Sequence, residues 1–213
     1  MDFDIVLRSR HSTRVFTEKP VPKDVLEAVV ADAQRAPSWV NAQEWEAWVA
    51  TGCTMRCIRD EYLAMGASHV PGRSDIPPVP RTAWSRYAQK RMAEFNDDIA
   101  SQNLGPTMAR VQDVFYNAPA VAFLTVPTGS PAWALLDLGA FEQTMLLSAA
   151  NRGLGSIPSW NAVKYPQIIR KHMGIPGNQD IVIGIALGYE ADDPINRLRT
   201  SRELTRRILT LKD

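Results

Sequence analysis

Cysteine and histidine are scarce in this chain, and the few present are badly placed for thiol or metal chemistry. The two cysteines, Cys53 and Cys57, match neither a thioredoxin-type pair nor the ligand count of a zinc site, so they read as reduced thiols. His11, His69 and His172 are scattered with no paired metal-ligand spacing, and no metal centre is expected. Charge of one sign is also lacking. A net charge of +1 with 22% charged residues carries no polyanion signal, which argues against nucleic acid as a partner. No apolar run approaches the roughly 20 residues of a membrane-spanning helix. The acidic start Met1-Asp2-Phe3-Asp4 has no hydrophobic signal core, so the expected location is cytoplasmic. No Gly-x-Ser-x-Gly elbow supports a hydrolase, although triad partners need not be close in sequence. No Gly-x-Gly-x-x-Gly opens a strand-to-helix unit.

What is present is a 213-residue chain long enough for one sizeable core. With no internal repeat or dividing linker, a single domain over 1–213 is expected, with 66–115 as a lid or insert. Residues 2–8 read as a short helix. A second helix starts at Val21-Pro22-Lys23-Asp24, with Val25, Leu26, Val29, Val30 and Ala33 at the helical period. Residues 46–50 read as a strand stopped by Gly52. Pro71, Gly72, Pro77, Pro78 and Pro80 mark a mobile loop beside a pocket. Residues 83–95 form a polar helix and 106–115 continue helical. The run 120–126 is a buried strand, and 133–152 is a central buried helix ended by Gly153 in a left-handed cap. Residues 165–172 form a short helix. The β-branched run 180–189 belongs at a sheet centre.

Three segments carry the chemistry. Arg10-His11-Ser12-Thr13-Arg14 brackets a hydroxyl between two guanidiniums within one helical turn or tight loop, a grip for a phosphate or polyol. Arg197, Arg199 and Arg202 form a second basic cluster near the other end; if the clusters converge, they enclose one anionic group. The others are Ala36-Pro37-Ser38-Trp39-Val40-Asn41-Ala42-Gln43-Glu44-Trp45 and Gly153-Leu154-Gly155-Ser156-Ile157-Pro158-Ser159-Trp160. Together with the polar run from Asn196 to Arg202, these motifs make the chain resemble, nearly end to end, the FMN-dependent nitroreductase family.

The resemblance implies an α+β fold with a central, mainly antiparallel sheet wrapped by helices, assembled as an intertwined homodimer. It implies FMN as cofactor and NAD(P)H as co-substrate. Arg10, Ser12 and Arg14 with Arg202 would hold the phosphate, Arg199 being the runner-up. His11 either contacts the flavin tail or faces solvent. Pro158, Ser159, Trp160 and Asn161 correspond to the stretch along one flavin edge, where a main-chain amide near Trp160 serves N5; the same stretch also reads as a capping turn. Pro37, Ser38 and Trp39 match residues reaching the partner's flavin across the dimer. Asn41 and Gln43 either bond the ring edge or support their loop, and Gln143 either bonds nearby backbone or reaches the flavin.

Two features depart from the family pattern: Glu44 replaces a usual proline, adding a carboxylate beside the loop, and Leu204 replaces a proline before the C-terminal helix. Trp39 and Trp160 either stack on a planar substrate or narrow the pocket. The flavin carries the reactivity, so no side-chain nucleophile is required. The implied activity is ping-pong transfer of a hydride from NAD(P)H through N5 to a nitroaromatic or quinone-like acceptor. The alternatives are a specialised dehydrogenase, dehalogenase or flavin-cleaving member, or a non-catalytic flavin-binding or storage module.

Overall fold

Near-continuous apolar runs demand burial on both faces, and the sheet is arranged accordingly. The computed structural model describes residues 2–212. Strands β1 (Glu46–Thr51), β2 (Ala120–Pro127), β3 (Gly155–Ser159) and β4 (Gln179–Gly188) form an antiparallel sheet in the order β1-β2-β4-β3. The most apolar strand, β4, therefore lies between β2 and β3, as its composition implies. Parity along β2 divides the core. Val121 and Phe123 face one cluster with Met55, Ile58, Tyr62 and Ile169. Ala122, Leu124 and Val126 face the other, with Val29, Leu138, Phe141 and Met145.

Helices cover both faces. The first cluster lies under α3 (Gly52–Ala67) and α7 (Pro166–Met173), the second under α2 (Lys23–Ala33) and α6 (Ala132–Asn151). Helix α6 ends as expected: Gly153 has φ +73° and the Leu154 N–H returns to the Ala149 carbonyl at 2.9 Å. A short α1 (Phe3–Ser9) is capped by the Asp2 carboxylate. Outlying helices α4 (Arg86–Ser101) and α5 (Gly105–Gln112) occupy the middle of the chain, and α8 (Thr205–Ile208) lies near its end. This is the expected α+β architecture. Among the described residues, no helix is long and apolar enough to cross a membrane.

Three local expectations are corrected. Gly52, at φ +53°, does more than stop β1; it opens the unforeseen helix α3, whose Met55, Ile58 and Tyr62 are buried at helical spacing. The proline-rich stretch is irregular but anchored, not a free loop. Asp75 takes both Arg170 amino groups (3.1 and 2.7 Å) and the Ile181 N–H (2.7 Å), while Ser74 Oγ accepts from the Trp160 indole (2.9 Å). The stretch for which a capping turn is one of the two readings begins inside the edge strand β3. An edge is where a proline is tolerated, because Pro158 has no N–H to lose from a ladder.

Candidate functional site

The basic pentad is extended, not helical, and that conformation sorts its side chains. Ser12 bridges Ser156 in parallel, the Thr13 N–H donates to the Ser156 carbonyl (3.0 Å), and Phe16 bridges Glu190. With a period of two, Arg10, Ser12 and Arg14 share one side of the segment while His11 and Thr13 share the other. Both members of the second set reach one carboxylate oxygen: Glu190 Oε2 lies 2.6 Å from His11 Nε2 and accepts from Thr13 Oγ1 at 3.0 Å. His11 Nδ1 lies 2.8 Å from the Ser9 carbonyl. His11 is thus half-buried and held at both nitrogens, rather than facing solvent freely. A cleft of about 240 Å³ opens here, bordered by Arg10, His11, Thr13, Gly153, Gly155 and Glu190.

The arginine side draws on both ends of the chain. Arg14 is 6% exposed, and burial pushes its guanidinium down from the ordinary value, with Tyr116 opposing and Arg199 reinforcing the shift. Arg10 is likewise pushed down, first by burial and then by Arg202. Each N-terminal arginine therefore lies within electrostatic reach of one from the C-terminal run. Buried Asn196 makes the join. Its Oδ1 accepts from the N–H groups of Arg14 (2.6 Å) and Val15 (3.1 Å), and its Nδ2 donates to the carbonyls of Val15 (2.8 Å) and Ala191 (2.9 Å).

Among the described residues, none of Arg10, Arg14, Arg199 and Arg202 has a carboxylate partner. Arg14 donates to the Ser12 carbonyl, Arg199 to those of Asn196 and Leu198, and Arg202 to Thr200 and Ser201. Arg197, by contrast, is paired with Asp192 at 2.9 Å on the exposed surface. Converging cations without counter-ions repel one another, and a doubly charged anion removes that cost. A phosphate monoester fits this donor set.

Main-chain groups complete the other side. Because the Ser156 carbonyl points away from β4 toward Thr13, Ser156 and Pro158 direct their peptide groups to the open edge, and the chain then turns at Trp160, whose carbonyl accepts from the Val163 N–H at 2.9 Å. Pro158 has no donor, so Trp160 carries the next N–H along that edge. Several predicted side chains here are engaged within the protein. Ser159 Oγ accepts from the buried Tyr116 hydroxyl (3.1 Å), Asn161 donates to Gln112 (2.8 Å), and the Trp160 indole is tied to Ser74.

The 37–43 loop lies elsewhere, on the start of α6. The Trp39 N–H donates to Asp137 (2.8 Å), and its indole packs on Trp133 with ring centres 4.8 Å apart. Ser38 Oγ accepts from the Gln43 N–H (3.2 Å), so Ser38 and Gln43 support the loop; the Gln43 side chain reaches the Asn41 carbonyl at 3.4 Å. Val40, Asn41 and Gln43 have φ values of 47°, 63° and 51°, a costly conformation for β-branched Val40 in particular. Glu44 accepts from Ser130 Oγ (3.0 Å), which gives the replaced proline a structural role. Gln143 is exposed on α6 and, among the described residues, bonds no neighbouring backbone.

A family model described as the nitroreductase family matches residues 7–189. The chain belongs to the nitroreductase family. It is 33% identical to a 4-nitrobenzoate reductase of Nocardioides sp. (strain LMS-CY), over 98% of this chain and 89% of that protein. It is 26% identical to a 4-nitrobenzoate reductase of Pseudomonas putida, over 95% and 92% of the two chains. The FMN-dependent nitroreductase NfnB of Mycobacterium smegmatis, solved in complex with NADPH, superposes with a TM-score of 0.91 at 24% identity, covering 99% of this chain and 97% of that one.

In this nitroreductase-family chain, sequence reasoning missed Asn196 as the clasp, Glu190 as the anchor of His11 and Thr13, and Asp137 as the partner of Trp39. Asn196 had a visible signal, a lone amide in a basic run. The other two emerge only from strand and helix packing.

Proposed function

We propose that this chain is an FMN-dependent oxidoreductase that reduces nitroaromatic or quinone-like acceptors with NAD(P)H in a ping-pong cycle. The carrying observation is that Arg14 lies near Arg199 and Arg10 near Arg202, none with a carboxylate partner among the described residues, on a segment where Ser12 shares the side of Arg10 and Arg14. Those residues hold the cofactor phosphate. Pro158, Ser159, Trp160 and Asn161 lie along the ring, with the Trp160 N–H as the donor that favours the reduced ring. Bound FMN supplies the redox chemistry, accepting a hydride from the nicotinamide and returning reducing equivalents to the acceptor. His11 borders the flavin tail with its ring fixed by Glu190. The names of two relatives favour a nitrobenzoate as acceptor.

The reading includes a homodimer. Trp39, Val40, Trp133 and Leu136 are 57%, 87%, 53% and 62% exposed in one chain, and the C-terminal Ile208 and Leu211 are 77% and 80% exposed. Apolar surface of this kind is covered in an assembled protein. Pro37, Ser38 and Trp39 then approach the partner's flavin, with Asn41 supporting the loop and Gln143 on the covered face of α6. The whole chain acts as one domain, and residues 66–115 form its cover over the site.

The test is reconstitution of purified protein with FMN, followed by anaerobic addition of NADPH or NADH and then 4-nitrobenzoate. Expected are a dimer by sedimentation, bleaching of the bound flavin by at least one nicotinamide, and recovery of the yellow colour with acceptor. Failure to take up FMN refutes the cofactor site. Flavin that no nicotinamide bleaches points instead to a storage module.

A further inference from the structure

Arg14 poses a problem that its own segment does not solve. Among the described residues, this guanidinium, 6% exposed and beside Arg199, has no carboxylate partner and only the Ser12 carbonyl as a hydrogen-bond partner for its terminal amino groups. A second source of negative potential lies across from it. The ring of Phe95, on α4, has its centre 6.0 Å from Arg14 Cζ. An aromatic face attracts a cation most strongly where water is excluded.

Phe95 is held in that place by a small, separate core. It packs with Ile99 on buried Leu104, Ile195 and Leu198, and the last two flank the clasp residue Asn196. Helix α4 contains no fully buried residue, so this seam is its main apolar attachment. Two further contacts join α4 to the C-terminal run: Arg91 donates to Ser201 Oγ at 2.8 Å, and Tyr87 faces Glu203. One helix thus touches the N-terminal arginine and the segment bearing Arg199 and Arg202.

We propose that Phe95 is a positioning residue for the phosphate grip, its ring seating the Arg14 guanidinium beside Arg199. The inference rests on the reading of Arg14 as a phosphate ligand. It gives α4 a role in holding the cofactor's charged end, in addition to covering the site. Arg14 is long and flexible, and a cation that is not held loses affinity to the entropy of ordering it. The π face supplies order without neutralising the charge, which a carboxylate at that place would do.

The experiment compares FMN with riboflavin, which lacks only the phosphate, by fluorescence titration of the apoprotein. Phe95→Leu keeps the apolar seam and removes the π face; it is expected to weaken FMN by about 5- to 30-fold while riboflavin changes by less than about twofold. Phe95→Trp is expected to keep the wild-type ratio. Ile99→Ala, in the same seam but away from Arg14, is expected to lower stability without moving the ratio. Adding Phe95→Leu to Arg14→Ala is expected to cost no further FMN affinity, because both act on one contact. If Phe95→Leu does not fold, Phe95→Met makes the same comparison.

Equal losses for FMN and riboflavin in the Phe95→Leu protein, or no loss of either, overturn the proposal. So does a full additional loss in the double variant. If Arg14→Ala leaves the FMN-to-riboflavin ratio unchanged, the phosphate reading itself fails. If Arg14→Ala moves the ratio and Phe95→Leu does not, that reading stands and the role of Phe95 alone falls.

Discussion

Replacing Asn196 should unfold the protein more readily than any other single polar change at the site. Its amide bonds four main-chain groups of three residues, the N–H groups of Arg14 and Val15 and the carbonyls of Val15 and Ala191, and the residue is 2% exposed. Asn196→Ala leaves the two N–H groups without a partner, while the Val15 and Ala191 carbonyls keep the Ala191 and Asp193 N–H groups at 3.1 and 2.9 Å. A buried polar group left unpaired costs about 1–3 kcal/mol, with water relieving part of it. For two such groups, allowing for that relief, the loss is about 2–4 kcal/mol, a large part of the roughly 5–15 kcal/mol that holds a domain folded. At ~2–4 °C per kcal/mol for a chain of this length, the melting midpoint should fall by about 4–16 °C. Asn196→Asp separates the two halves of the amide. It keeps an acceptor for the two N–H groups but turns a second oxygen toward two carbonyls, so it should be no better than alanine at neutral pH. Acid should restore part of its deficit, as the carboxyl regains a donor near the ordinary aspartate value of ~3.9. Urea unfolding followed by circular dichroism measures all three proteins. A loss below ~1 kcal/mol for both variants would refute the clasp, because that is the scale of an ordinary substitution.

Other expectations test separate parts of the molecule. Asp75→Asn strands the partly buried Arg170 guanidinium, so stability should fall by about 3–5 kcal/mol and trypsin should cut faster at Arg73 and Arg81; an unchanged cleavage rate would show that the proline-rich stretch is held by something else. Gly155→Ala would place a Cβ 2.4 Å from Thr13 Oγ1, which Glu190 holds in place, so the variant should lose ~1–3 kcal/mol and release FMN faster; wild-type stability would mean the two strands separate freely. Among the described residues Glu142 on α6 has no hydrogen-bond or ion-pair partner, and burial holds its carboxyl above the ordinary value. Its ionised form is therefore penalised in the folded state, so stability should fall as pH rises from the ordinary value through the raised one. Glu142→Gln should flatten that slope in melts run across the interval, and a variant that retains it would exclude Glu142 as the cause.

Much of the fold was legible because its signals are local. The β-branched composition of β4 and the apolar length of α6 admit few other uses, and Gly153 marks the end of α6 by conformation alone. Helix α3 was legible but overlooked: Met55, Ile58, Tyr62 and Met65 recur at helical spacing, and the glycine before them drew attention to an ending instead of a beginning. Strand β3 was not legible in this way. Five residues containing glycine, two serines and a proline carry no strand propensity, and they are extended because β4 offers a partner on one side and the pentad on the other.

The site follows the same division, and the pentad shows why. Residue types at positions 10, 12 and 14 announce an anion grip, yet their spacing fits a helical turn as readily as a strand. In a helix, residues two apart do not share a face; in a strand they do. Only the Ser156 carbonyl, by accepting from the Thr13 N–H, decides the matter, and in doing so it sends His11 and Thr13 toward Glu190. That one hydrogen bond also sets the parity of β3, which leaves Trp160 as the donor on the open edge beyond Pro158. In the proposed reading, the arginines at one end of the site and the main-chain amide at the other are therefore aligned by a single register. A one-residue slip between the pentad and β3 would misplace both, so Gly155, where a Cβ would strike Thr13, constrains the site from a position that contributes no side chain to it.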